Sequence, residues 1–429
     1  MEKSAITKID FYPGQRFSCQ RCGFCCNSFE IKITAKELAK LKKVVLPAGG
    51  NPPDEWFSPS LTSKGLYTVA RNADNKCVFI DASGGCVLHN ISGVNCKALI
   101  CRVFPVHMVN WADGRCSAEL RFICPAVGSK TGTLLGNQPE IMDKIAKPLR
   151  ERQILSDTRY STANPASLRA VRQVHVAFKN ILHDETVPLK TRLYSVSRII
   201  AFHAIKCNHE AIVLADDNFS VDALEFVRKA APVLKKELSN GVASLGDRID
   251  FRILITGYLR DDDEFAVNSP MTRLKKLCAH SVFSAGGGSL RQINPAAPDV
   301  SGWQCLTRPR RTLVSVEALE VFCQFFYGKL DSMHFCGNTA HDFTYELGMK
   351  HLLLSLPVTF VLAAAFVAKK DKPVIDREDM LQAVRLMDLT FSRSPFFRLR
   401  LTKNLLNKLS RPATLAGLLN LIFGKPADK

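Results

Sequence analysis

Ten of the 15 cysteines in this 429-residue chain fall between Cys19 and Cys124. The first group lies in Phe17-Ser18-Cys19-Gln20-Arg21-Cys22-Gly23-Phe24-Cys25-Cys26. Cys-x2-Cys spacing lets two thiolates of one tight turn face one ion, and Gly23 lets the backbone fold around it. Cys77 and Cys86 flank the turn Asp81-Ala82-Ser83-Gly84-Gly85. Cys96, Cys101, Cys116 and Cys124 complete the set, Cys101 inside Cys101-Arg102-Val103-Phe104-Pro105 and Cys124 before Pro125. A tetrathiolate zinc site and a cysteine-ligated iron–sulfur cluster can both be built from such a supply.

Spacing narrows the choice only in part. Cys19-x2-Cys22-x2-Cys25 equals the first three ligand positions of a bacterial ferredoxin run, but Phe29 stands where the fourth is expected. A fourth thiolate therefore comes from elsewhere, with Cys101 and Cys124 as candidates. The Cys-x3-Cys-x2-Cys run of radical S-adenosylmethionine enzymes is absent. Four thiolates make an anionic site with either metal, and Arg16, Arg21, Lys97, Arg102 and Arg121 are near in sequence to offset that charge. The opening MEKSAITKID has no apolar stretch of a secretory signal, which predicts a cytoplasmic, reducing location. In such a compartment a cysteine cluster reads as metal-binding or redox-active rather than as a disulfide framework.

At these residues the chain resembles the eight-cysteine CxxCxxCC zinc- or iron-chelating domain family, the YkgJ-like proteins, over about residues 15–128. The resemblance implies Cys19, Cys22, Cys25, Cys26, Cys77, Cys86, Cys101 and Cys124 as ligands of an iron–sulfur (4Fe–4S) cluster or of zinc. Cys96 and Cys116 are extra. A more distant similarity to the flagellin lysine N-methylase FliB implies methyl transfer from S-adenosylmethionine to protein lysines, with flagellin as a possible protein substrate. The opening spacing is narrower than in that methylase, and no residue-level match extends beyond residue 130. A non-catalytic zinc- or iron-binding interaction protein is the alternative reading.

The elements that must hold these cysteines are of two kinds. Residues 15–128 are irregular, with Gly, Pro, Asn and Asp punctuation between short β-like runs at Leu66–Ala70 and Cys77–Ile80. Their aliphatic content looks thin, so metal ligation is expected to hold the module together. From about residue 140 the apolar residues recur with helical period, over Ser167–His183, Lys190–Ile205, Asp222–Leu238, Ile249–Leu259, Val314–Leu330, Asp342–Lys369 and Arg377–Thr390. The fold class is thus mainly α: a small irregular α+β cysteine-rich metal module at 15–128, followed by an all-α helical domain at 140–429. Ser284–Arg311, with Gly286-Gly287-Gly288 and three prolines, reads as a loop or linker.

Leu352–Ala368 is uncharged, and at 17 residues it is short for a membrane span, so a buried core helix is expected instead. Net charge is +18, of which residues 1–130 carry +7 (17 basic, 10 acidic). That field favours an acidic partner or anionic cofactor. Arg308-Pro309-Arg310-Arg311 is too small a footprint for specific nucleic-acid binding. Phe396–Arg411 places Leu401, Leu405 and Leu409 on one face, as in a terminal helix docked by its leucines. His334-x-Cys336-x4-His341 offers three donors where zinc wants four, so it reads as ordinary core or surface. No Gly-x-Gly-x-x-Gly supports a Rossmann-type methyl-donor site.

Overall fold

The computed structural model describes residues 9–20, 22–24, 30–47, 49–60, 64–93, 96–129, 132–137, 155–163, 166–206, 219–259, 270–295, 297–309, 312–368 and 372–424. The chain forms two compact units. The cysteine-rich unit comprises Tyr12–Met108 and Ala118–Ile154; the helical unit comprises Met1–Phe11, Val109–Ser117 and Leu155–Lys429. The boundary thus falls within two strands of the chain.

In chain order the first elements are β1 (Ile9–Asp10), β2 (Arg16–Phe17), β3 (Lys32–Ile33), α1 (Ala35–Leu41), β4 (Phe57–Pro59) and β5 (Tyr67–Val69). Then come α2 (Val87–Ser92), α3 (Leu99–Val103), β6 (Val106–Trp111), β7 (Cys116–Leu120), β8 (Thr133–Leu134) and β9 (Leu155–Ser156). In the cysteine-rich unit, β3, β5 and β4 make an antiparallel sheet, in the order β3-β5-β4. β2 pairs with β8. The expected strand at Leu66–Ala70 is β5, but Cys77–Ile80 makes only isolated bridges, Arg71 to Cys77 and Ile80 to Cys86.

This unit has more core than its composition suggests. Ile31, Ile33, Leu41, Val69, Phe79, Leu88 and Ala98 are buried together, with Trp56 and Phe57 packed against them. Trp56 meets Phe79 edge to face, ring centroids 5.3 Å apart. The thin apolar content expected of this module still yields a cluster, because its members come from sites scattered through the sequence and only the fold assembles them.

The helical unit continues with α4 (Leu168–His183), α5 (Leu189–Lys206), α6 (Phe219–Ser239), α7 (Leu245–Leu259), α8 (Pro270–Ala285), α9 (Leu290–Ile293) and α10 (Gly302–Thr307). After β10 (Leu313–Val314) follow α11 (Val316–Ser332), α12 (Tyr345–Ala368), β11 (Val374–Ile375), α13 (Arg377–Phe391), α14 (Arg400–Leu409) and α15 (Pro412–Phe423). The chain is mainly helical, a mixed α+β region followed by a large all-α region.

α12 is long and apolar enough to cross a membrane, yet 94% of its apolar window is buried inside this unit. α7, α11, α13, α14 and α15 surround the same core, and Phe360 of α12 packs on Phe322 and Phe423. A helix apolar all round is what a bundle centre requires.

Two expectations change here. The stretch 284–311 is not an open linker, because α9 and α10 occupy part of it and glycines allow close backbone packing. Gly302 N–H donates to Gly287 O at 3.1 Å and Trp303 N–H to Gly286 O at 2.8 Å. A Cβ on Gly302 would lie 2.2 Å from Phe283 O. In α14 the buried set is Thr402, Leu405, Leu406 and Leu409, spaced i, i+3, i+4, i+7, while Leu401 is 70% exposed.

Candidate metal centre

The cysteine-bearing turns are fixed by hydrogen bonds between polar side chains and backbone groups. Buried Gln15 donates its amide to Leu120 O and accepts from Leu120 N–H at 2.9 Å, which anchors the approach to β2. Next, Ser18 Oγ accepts from Thr133 N–H at 3.2 Å. Cys19 and Cys22 follow, both exposed. Gly23 turns the chain with φ +67°, and a Cβ there would lie 2.3 Å from Gly84 O. Only glycine allows this approach without displacing backbone.

Gly84 belongs to the loop that presents Cys86. Asp81 Oδ1 accepts from Ser83 N–H (2.9 Å), Ser83 Oγ (2.6 Å) and Gly85 N–H (2.8 Å), and Asp81 Oδ2 accepts from Asn90 Nδ2 (2.9 Å). These donors, Ser83 Oγ first, hold the Asp81 carboxyl below its ordinary pKa. Cys86 is then the N-cap of α2.

Cys101 is carried by α3. Glu37 positions that helix: its Oε1 accepts from Leu99 N–H at 2.7 Å, while Oε2 accepts from Thr34 N–H and Thr34 Oγ1 at 2.8 Å. One carboxylate thereby caps the N-termini of both α1 and α3. Cys124 lies in a turn after β7, with Cys124 N–H donating to Arg121 O and Val127 N–H to Cys124 O.

These turns converge. Cys19, Cys22, Cys86, Cys101 and Cys124 line one cavity of about 60 Å³ within the cysteine-rich unit. His89, Asn90 and Lys97 line it as well. Cys86 and Cys101 also pack on the apolar cluster, so they stand where core meets cavity. Thiols and an imidazole are soft donors of the kind that zinc and iron–sulfur clusters take, but among the described residues no three of these donor atoms lie within 4.8 Å of one another.

The remaining predicted ligands are placed differently. Cys77 is 4% exposed inside the apolar cluster. Cys25 and Cys26, with Arg21, lie outside the described residues. Cys96 packs on the same cluster, and Cys116 is buried in β7. Neither lines the cavity. Arg16 reaches Gly132 O at 3.4 Å instead of the cavity. Sequence reasoning missed His89; the spacing Cys86-x2-His89 was the available signal.

His334, Cys336 and His341 are all buried in the helical unit. His334 Nε2 bonds Ser117 Oγ at 3.0 Å, and Cys336 Sγ contacts Met333 O at 3.6 Å. Burial pushes the Cys336 thiol up to about 12 and His341 down to about 4. The helical unit also holds a polar pocket of about 740 Å³, in which Asp113, Asp157, Arg159, Arg169 and Asp342 bring both signs of charge.

With this geometry in place, comparison with known proteins bears on the same residues. A sequence model of the CxxCxxCC family, described as "Putative zinc- or iron-chelating domain", matches residues 18–117. A CxxCxxCC domain is present. Its span includes Cys19 to Cys101; Cys124 falls outside it yet lines the same cavity. No curated protein and no solved structure matches the chain.

Proposed function

We propose that the CxxCxxCC domain binds a metal centre through cysteine thiolates, with a 4Fe–4S cluster as the preferred occupant and zinc as the second. The carrying observation is that five cysteines from four separate segments line one cavity. The exposed Cys19–Cys22 turn supplies two, while Cys86, Cys101 and Cys124 come from elements fixed by Asp81, Glu37 and backbone contacts. A bound cluster would supply electron transfer or substrate anchoring; zinc would supply a structural lock. Iron, sulfide and zinc analysis of anaerobically purified protein tests this reading.

The activity we propose for such a centre is protein lysine N-methylation in the cytoplasm, with S-adenosylmethionine as donor and a flagellin-like protein as substrate. Support comes from the distant similarity of the cysteine motifs to the flagellin lysine methylase and from the net charge of +18, which suits an acidic partner. The polar pocket of the helical unit adds chemistry suited to a donor that carries both an ammonium and a carboxylate. Transfer requires a base to remove one proton from the lysine ammonium; the freed lone pair then forms the N–CH3 bond as the donor's S–CH3 bond breaks, its electrons staying on sulfur, and S-adenosylhomocysteine leaves. Calorimetry with S-adenosylmethionine on metal-replete protein, followed by a methyl-transfer assay on flagellin, tests it. No donor binding and no transfer would leave a non-catalytic metal-binding interaction protein.

A further inference from the structure

The cavity that collects the thiols also receives an imidazole. Cys86 caps α2 and His89 is the third residue of that helix, so the two side chains rise from one face of a single turn. His89 lines the cavity together with Cys19, Cys22, Cys86, Cys101 and Cys124. The spacing Cys86-x2-His89 repeats that of Cys19-x2-Cys22, the arrangement that lets two side chains reach one ion. The helix start is well anchored. Val87 N–H donates to Phe79 O at 2.8 Å, and the N–H groups of His89 and Asn90 both donate to Cys86 O, at 3.0 and 3.1 Å. Asn90 is held in turn by Asp81.

We propose that His89 ligates the metal centre through one ring nitrogen, giving mixed thiolate–imidazole coordination. This rests on the reading of the cavity as a metal centre. Cys77, one of the eight cysteines implied by the family resemblance, is enclosed by Ile31, Val69, Phe79 and their neighbours, away from the cavity lining. His89 supplies a donor at the cavity where Cys77 does not. Neutral imidazole is a common ligand of zinc and of iron. Replacing a thiolate by imidazole removes one negative charge, and in iron–sulfur centres this raises the reduction potential. Lys97, lining the same cavity, acts in the same direction.

The test uses the full chain, reconstituted anaerobically with ferrous iron and sulfide and then reduced to a paramagnetic cluster. Pulsed electron paramagnetic resonance reads nitrogen bound directly to iron. A strong ¹⁴N coupling is expected in the native protein, lost in His89→Ala and retained in His183→Ala, a histidine of the helical unit whose ring bonds Asp331 at 2.8 Å. His89→Cys should keep the metal, lose the coupling and show a lower reduction potential, which covers the case that the alanine variant does not fold. Native protein holding a cluster without ¹⁴N coupling overturns the assignment, as does coupling unchanged in His89→Ala. Native protein that takes up neither iron nor zinc overturns the metal centre itself, and the ligand assignment with it.

Discussion

The cysteine-rich unit and the helical unit solve opposite problems. In the first, strands run two or three residues and α1, α2 and α3 run seven, six and five. Such pieces have little stability of their own. They are aimed by local polar devices: Asp81 for the Cys86 loop, Glu37 for the Cys101 helix and Gly23 for the first turn. In the second, α12 alone spans 24 residues, nearly all of them buried. Local polar devices place the cavity cysteines of the first unit, whereas bulk apolar packing holds the second together. Changes in one should therefore read out differently from changes in the other.

The largest expected contrast comes from Cys101→Ser. It removes a cavity thiol in the middle of a Glu37-capped helix, so metal retention should fall to near zero, while the helical unit keeps its resistance to proteolysis. Cys116→Ser, away from the cavity, should keep full metal content. Metal analysis after gel filtration, alongside limited proteolysis, checks both.

The converse change is Lys329→Met. Lys329 Nζ bonds Asp388 Oδ1 at 2.9 Å, with both side chains at most 2% exposed, and lies over the rings of Phe325 and Phe391. Removing one partner strands a buried charge and should cost about 3–5 kcal/mol in urea unfolding of the helical unit. Metal stoichiometry should not change. Equal loss of metal in this variant would break the contrast between the units.

How much of this was legible in sequence follows the same division. The long helices were readable because 3.6-residue periodicity is a local signal, and α4, α11 and α13 fall close to their predicted spans. The cavity cysteines were legible as residue types, because Cys-x2-Cys and Cys101-x-x-Phe104-Pro105 are local too. What escaped was non-local. Ile31, Val69 and Ala98 meet in a core that no window displays. Cys77 looks like its neighbours in sequence, and only the fold encloses it. Gly286 to Gly288 carried a flexible composition, but the backbone approach of Gly302 converts that stretch into a packed corner.

Smaller effects sharpen the comparison. Glu37→Ala removes the α3 cap and the carboxylate half of the α1 capping box, leaving the Thr34 hydroxyl on the N–H of residue 37, and should cost about 1–2 kcal/mol, felt mainly in the cysteine-rich unit. Metal affinity should fall several-fold rather than vanish, because Cys101 remains. Metal competition titration reads the difference.

The last effect is one of pH. His341 titrates at about 4 when folded because burial disfavours its charge, with Arg398 and Lys403 adding to the depression, and fully buried His351 is also held well below its ordinary value. The unfolded chain binds these protons near pH 6.5, so between about 6.5 and 4 the unfolded state holds more protons than the folded one. Stability of the helical unit is therefore greatest above pH 6.5 and declines as pH falls toward 4, each histidine contributing at most about 1.4 kcal/mol per pH step of one. His341→Phe should flatten that slope in urea midpoints measured across this range.

The central claim is that the converging cysteines hold a metal centre, and its most direct test is one preparation. Protein made with ample iron and purified without oxygen should carry iron and acid-labile sulfide, with broad absorption near ~400 nm from cysteine-ligated iron. Stoichiometric zinc without iron would replace the cluster by a zinc site. Protein that folds with neither iron nor zinc, and takes up neither when they are supplied, would contradict the account.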